Sequence, residues 1–208
     1  MMAEDRAMKD SQIIDECRRG NWQSFEVLVK KYEERVFHFA WKLTGSEAQA
    51  KDVTQEAFIK VFKHLMGFRG RSAFSTWLYR IVYNLSMDEL RFLQKKEREL
   101  EGMGERVMTA RRSFTPADAA LTEEMKQKIN EAVDGLPPHY RSVLILSDYE
   151  GLPYGEISEI LGCKRGTVKS RLHTSRAMVR KELSGYFGDR PQTEDVDHEK
   201  EESVRRDS

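Results

Sequence analysis

Residues 153–183 read PYGEISEILGCKRGTVKSRLHTSRAMVRKEL. Ile157, Ile160 and Leu161 recur at the steps that give a helix one apolar face. Gly162 follows, and glycine takes the left-handed conformation that ends a helix. A second helix is predicted to begin near Lys164, with Val168, Leu172, Met178 and Val179 on its buried side. From Lys164 to Lys181 there are seven Lys or Arg and no Asp or Glu. Two short helices around a tight turn, the second cationic, fit a helix-turn-helix whose second helix enters the DNA major groove. A helical hairpin with a solvated basic face meets the same pattern.

Taken whole, the 208-residue chain has no net formal charge. The zero is a sum of unlike parts: from Asp189 to Asp207 eight acidic residues face four basic ones, offsetting the cationic helix. A phosphate responds to local charge, so the total does not exclude a nucleic-acid partner. Cys17 and Cys163 are far apart and match no metal-ligand spacing, so reduced thiols are expected, with no metal and no cofactor. No apolar run approaches a membrane span, and MMAEDRAMKD lacks the features of a secretion signal, so a cytoplasmic protein without membrane insertion is expected. The five histidines form no His-x-x-x-His, and neither a phosphate-cradling glycine loop nor a nucleophile motif occurs. An enzyme with a small-molecule substrate is therefore not expected.

The apolar pattern predicts an all-α chain of two small helical domains. In the first, residues 10–96, Trp22, Phe25, Val29, Tyr32, Val36, Phe39, Ala40 and Leu43 mark one helix, which Thr44, Gly45 and Ser46 break. A second helix places Val53, Ala57, Phe58, Val61, Phe62 and Leu65 on its apolar side. After the loop MGFRGRSAF, a third runs from near Ser75 past Leu90, with Trp77, Leu78, Ile81, Val82 and Leu85 inward. Residues 97–116 lack periodicity and read as a flexible or partly helical linker. The second domain, 117–187, opens with a helix carrying Leu121, Met125, Ile129, Val133 and Leu136. Pro137 and Pro138 start another, which ends at Gly151, and the helix-turn-helix completes the domain. Residues 188–208 read as a disordered charged tail.

The segment FRGRSAFSTWLYRIVYN interleaves cations with aromatic rings, the combination that holds single-stranded DNA: cations follow the backbone, and rings replace lost base stacking. Phe74 is expected in the loop. Trp77 shares a face with Ile81 and is left between core and base contact. Asn84 can both donate and accept at a base edge.

Two stretches, the second quoted lying earlier in the chain, carry a family resemblance. LPPHYRSVLILSDYEGLPYGEISEILGCKRGTVKSRLHTSRAMVRKEL resembles region 4 of bacterial sigma factors, and AKDVTQEAFIKVFKHLMGFRGRSAFSTWLYRIVYNLSMDELR resembles region 2. Two domains with a short linker are similar to the extracytoplasmic-function (ECF) class. The resemblance implies a sigma subunit that gives core RNA polymerase, through its beta and beta-prime subunits, promoter-specific transcription initiation. It also implies promoter DNA as ligand and an anti-sigma factor as partner.

The implied roles fall on three sets of residues. Lys164, Arg165, Thr167, Lys169, Ser170, Arg171, His173, Thr174, Arg176 and Arg180 would meet the minus-35 element as duplex, Arg171 and Arg180 at phosphates. Arg69, Arg71, Ser72, Phe74, Trp77, Tyr79, Arg80, Tyr83, Asn84 and Arg91 would meet the melted minus-10 strand, with Gly67 to Phe74 taking a flipped base. Asp52, Gln55, Glu56, Phe58, Phe62 and Lys63 would dock on the clamp helices of the largest polymerase subunit. Read without the resemblance, that last set is an ordinary charged surface. The alternative function is a helix-turn-helix regulator that is no polymerase subunit.

Overall fold

A computed structural model describes residues 9–101 and 123–187. The remainder of the expected linker, Leu121 and the expected tail from 188 lie outside the described residues. Eight α-helices follow in order: α1 Asp10–Arg18, α2 Gln23–Thr44, α3 Glu47–His64, α4 Phe74–Glu101, α5 Glu123–Asp134, α6 Pro138–Leu144, α7 Tyr154–Leu161 and α8 Arg165–Phe187. A 3-10 turn, Leu65–Gly67, ends α3, and a π-helical turn, Ile145–Tyr149, continues α6. Among the described residues there is no strand, in agreement with the all-α reading.

α2, α3 and α4 pack on one another, and α1 lies against α2. Leu28, Val36, Phe39, Ala40, Val61, Leu78 and Val82 form the dry centre of this bundle, each with no exposed surface. The break after α2 is built as the sequence implies. Gly45 is left-handed at φ 73°, and the Ser46 hydroxyl accepts a hydrogen bond from the Gln49 amide to cap α3. In the second bundle α5, α6 and α7 pack on α8, with Val133, Val143, Leu146, Ile157, Val168 and Leu172 inside. The two bundles also touch. α4 runs beside α7, α2 meets α6, and the buried apolar residues of both form one continuous cluster.

Several expectations are corrected. Residues 97–101, read as linker, continue α4. α1 buries Ile13, Ile14 and Cys17 but is too short to show a period. Trp22 and Phe62 are 43% and 44% exposed rather than inward, and pair with each other at 4.9 Å between ring centroids. Met178 is also exposed; Ser175 takes the inward position on α8, its hydroxyl bonded to the Leu172 carbonyl.

Burial pushes His38 and His139 below the ordinary histidine range, against the opposing pull of Glu34 on His38. A base whose folded value is lowered binds fewer protons folded than unfolded, so its contribution is complete above the ordinary value and is lost in acid. The unfolding temperature should therefore rise as pH climbs through about 6.5. A His38→Gln/His139→Gln double substitution should flatten that rise in a pH series of melting curves.

Candidate nucleic-acid and polymerase interfaces

α7, the turn and α8 form a helix-turn-helix. Gly162 sits at φ 63°, and the Cys163 amide reaches back to the Ser158 carbonyl at 3.0 Å, closing the end of α7. Val168 and Leu172 are buried, which turns Lys164, Arg165, Lys169, Ser170, His173 and Arg180 to solvent. Thr167, Arg171, Thr174 and Arg176 are half-buried. Arg165, Lys169 and His173 stand at four-residue steps on one face, where a groove can receive them. Arg176 is engaged within its own domain: its guanidinium forks onto Asp148 at 2.8 and 3.2 Å.

A second surface gathers around the loop before α4. A hollow of about 430 Å³ is lined by His64, Gly67, Phe68, Arg69, Arg71, Ser72 and Trp77. Phe68 and Trp77 stack at 4.9 Å and 24° along one wall. Gly70 turns the loop at φ 64°, and Arg18 donates to the Phe68 carbonyl from α1. Trp77 thus belongs to the hollow as much as to the core. Along α4, Trp77, Arg80, Asn84 and Arg91 fall on one stripe, because steps of three, four and seven residues return near the same angle. Arg80, Asn84 and Arg91 are exposed.

Two members expected here lie elsewhere. Phe74 is the first residue of α4, not a loop residue; it is 3% exposed and packed against Tyr32, Phe68 and Trp77. Tyr79 has no exposed surface: its ring lies edge-on to Phe39 and its hydroxyl donates to Glu150. Neither presents a face on which a base can stack. Tyr83 is half-buried and packs on the buried apolar cluster. Phe68, which supplies the stacking wall, was not singled out in the sequence; the aromatic alternation around two arginines was the available signal.

The third surface is an apolar groove of about 880 Å³ between α2 and α3, floored by Phe25, Val29, Phe37, Phe58, Ile59 and Phe62. Glu33, Glu34, Lys51, Gln55 and Lys63 give it a charged rim. Of the expected docking residues, Gln55, Phe58, Phe62 and Lys63 line it, Phe58 as floor at 8% exposure. Asp52 and Glu56 are exposed on α3 at its outer margin. The α2 wall went unread because Phe25 and Val29 fit the core pattern, and Phe37 stood outside that pattern with no role assigned. Ile59, exposed at 39%, extends the α3 apolar arc beyond what burial requires, and this was the legible sign.

Comparison with known proteins agrees with this layout. Residues 28–96 match the family described as Sigma-70 region 2, and residues 126–179 match Sigma-70, region 4. The chain belongs to the sigma-70 family of RNA polymerase sigma factors, in its ECF class, whose members direct transcription initiation and are not enzymes. It is 32% identical over 181 residues to the RNA polymerase sigma-H factor of Pseudomonas aeruginosa, covering 84% of this chain and 94% of that one. It is also 32% identical over 176 residues to the ECF RNA polymerase sigma factor SigW of Bacillus subtilis, covering 82% and 94%. The fold resembles that of the sigma factor RpoE from Bartonella quintana, solved in complex with the anti-sigma factor NepR. The TM-score is 0.66 at 20% identity, over 78% of this chain and 98% of that one. No described helix is long and apolar enough to cross a membrane.

An added Cβ at Gly162 would meet no atom within 4 Å, so the cost of Gly162→Ala is conformational alone. Urea denaturation should show a loss of about 1–2 kcal/mol.

Proposed function

We propose that this sigma factor reads a minus-35 element as duplex through α8 and a minus-10 element as melted strand through the hollow and the α4 stripe. Its domains are 10–101, extended from the expected boundary at 96 by the end of α4, and 117–187. The observation that carries the strand reading is the hollow: it has a stacked aromatic wall, two arginines and a serine at its mouth, and a polar stripe leading away from it. An unpaired base finds there a ring to stack on, worth about 1–3 kcal/mol, and cations for the flanking phosphates. The stripe of Arg80, Asn84 and Arg91 then offers donors to the strand that continues from it. Arg69, Arg71 and Ser72 take the positions nearest the base.

For α8, Lys169, Ser170, His173 and Thr174 are the base-reading set, and Lys164, Arg165, Thr167, Arg171 and Arg180 hold phosphates. Arg176 orients α8 through Asp148. The α2–α3 groove receives the clamp helices of the largest subunit of core polymerase, since a long apolar trough with a charged rim suits an amphipathic helix laid along it. The beta subunit and an anti-sigma factor complete the set of partners that the family resemblance implies.

Core polymerase supplied with this chain on a promoter library should initiate selectively, and the chain alone or the core alone should not; unselective initiation by the mixture would end the reading. Phe62→Asp should weaken core binding by at least about 2 kcal/mol, the scale of an interface hot spot. Its melting temperature should stay near that of the parent, because Phe62 is 44% exposed. Arg69→Ala should lower affinity for melted-strand DNA and leave duplex binding by α8 unchanged in a fluorescence anisotropy titration.

A further inference from the structure

The loop that carries the hollow is held by a side chain from a distant helix. Arg18, in the last turn of α1, divides its guanidinium between two acceptors. Nη1 donates to Asp15, one turn back, at 3.0 Å, and Nη2 donates to the Phe68 carbonyl. α1 is a firm base for this reach. It buries Ile13, Ile14 and Cys17. Its Asp10 accepts from Lys31 at 2.7 Å and from the Tyr32 hydroxyl at 2.6 Å, and its Glu16 accepts from Ser24, all three donors on α2. Phe68 is thereby gripped at three points: its amide donates to the Leu65 carbonyl at 3.1 Å, its ring stacks on Trp77, and its carbonyl accepts from Arg18. Beyond Phe68 the grip ends. Among the described residues, no main-chain amide from Arg69 to Ala73 donates to another main-chain carbonyl.

We propose that Arg18 is a positioning residue for the hollow: by fixing the Phe68 carbonyl it sets the direction in which Arg69 leaves toward the bound base, without itself touching DNA. This rests on the melted-strand reading proposed above. A carbonyl and the amide that follows it share one rigid plane, so holding the Phe68 oxygen fixes the Phe68–Arg69 peptide and with it the Cα of Arg69. A loop with few bonds of its own would otherwise be ordered only when the strand arrives, at about 1–2 kcal/mol for each residue fixed. Order set in advance lowers that cost and appears as tighter capture of the base. Arginine suits the task because its planar fork presents two donors in a fixed relation, one for Asp15 and one for the carbonyl. A lysine ammonium is a point charge on a flexible stem and carries no such geometry.

Arg18→Ala removes the tether and one charge. Arg19→Ala removes the same charge from the next, exposed position and leaves the tether in place. The full chain is titrated by fluorescence anisotropy with single-stranded homopolymers of each base, about 12 nucleotides long, and with an abasic strand of equal length. The affinity ratio of the best base-bearing strand to the abasic one measures base capture. That ratio should fall about fivefold in Arg18→Ala and stay parental in Arg19→Ala, while both lose abasic affinity alike. Arg18→Lys should keep the parental abasic affinity and lower the ratio. Lost fold stability alone would not move the ratio, because it reduces the active fraction equally for both strands. Equal ratios in Arg18→Ala and Arg19→Ala, or a parental ratio in Arg18→Lys, would overturn the assignment. Hydrogen exchange at the Phe68 amide gives a reading that needs no DNA: it should quicken in Arg18→Ala and not in Arg19→Ala, and unchanged exchange in Arg18→Ala would overturn the tether. A parent that binds base-bearing and abasic strands alike would count against the melted-strand function instead, with the tether then decided by exchange.

Discussion

One buried guanidinium decides where the second bundle sits. Arg141 donates to the carbonyls of Lys42 and Leu43 at the end of α2 and to those of Asp134 and Leu136 at the end of α5. The last carbonyls of a helix lack partners inside it and carry the negative end of its dipole. A single cation with a planar fork of donors therefore satisfies two helix ends that would otherwise lie buried and unpaired. Lys42 adds a second positive charge at the same spot, and burial pushes it below the usual lysine range against the pull of Asp134. Removing Arg141 would leave those carbonyls buried without donors, at a cost of about 1–3 kcal/mol each. α6 has only one place where both helix ends converge on Arg141, and α7 and α8 take their positions from α6.

With the bundles so placed, each face of the molecule keeps a different chemistry. The groove between α2 and α3 is apolar with a mixed-charge rim, suited to protein. The hollow and the α4 stripe combine rings, arginines and an amide, suited to unpaired bases. α8 offers cations and hydroxyls from a single face, suited to a groove lined by phosphates. The zero net charge of the chain hides this division.

The outline of the helix-turn-helix was legible because its signals are local: apolar spacing, one glycine, and a run of cations. The all-α class and most helix boundaries followed from the same periodicity. What escaped was whatever depended on a neighbour distant in sequence. Phe74 and Tyr79 look like loop and surface aromatics beside arginines, yet Tyr32 and Phe39, from another helix, draw them into the core. Phe25 and Val29 fit the core pattern of α2, and only the packing of α3 shows that they wall an open groove together with Phe37. Met178 lost its inward place to Ser175, whose hydroxyl is satisfied by the helix itself, so a small polar group is tolerated where an apolar one was expected. Arg141 and Lys42 carried no signal at all, since a buried cation looks like a surface one until its carbonyls are known.

The chemistry of the junction between bundles also bears on how firmly it holds. An interface sealed by apolar area alone holds more firmly the larger it grows. Burying ion pairs is different, because desolvation consumes much of what the Coulomb attraction returns. The Arg35–Glu150 pair is half in solvent on the arginine side, where attraction is weakest and salt screening strongest. Geometry at the junction is thus strongly specified while its net stability stays modest. Polar margins around a shared apolar centre thus give the two bundles one defined arrangement at a modest net stability.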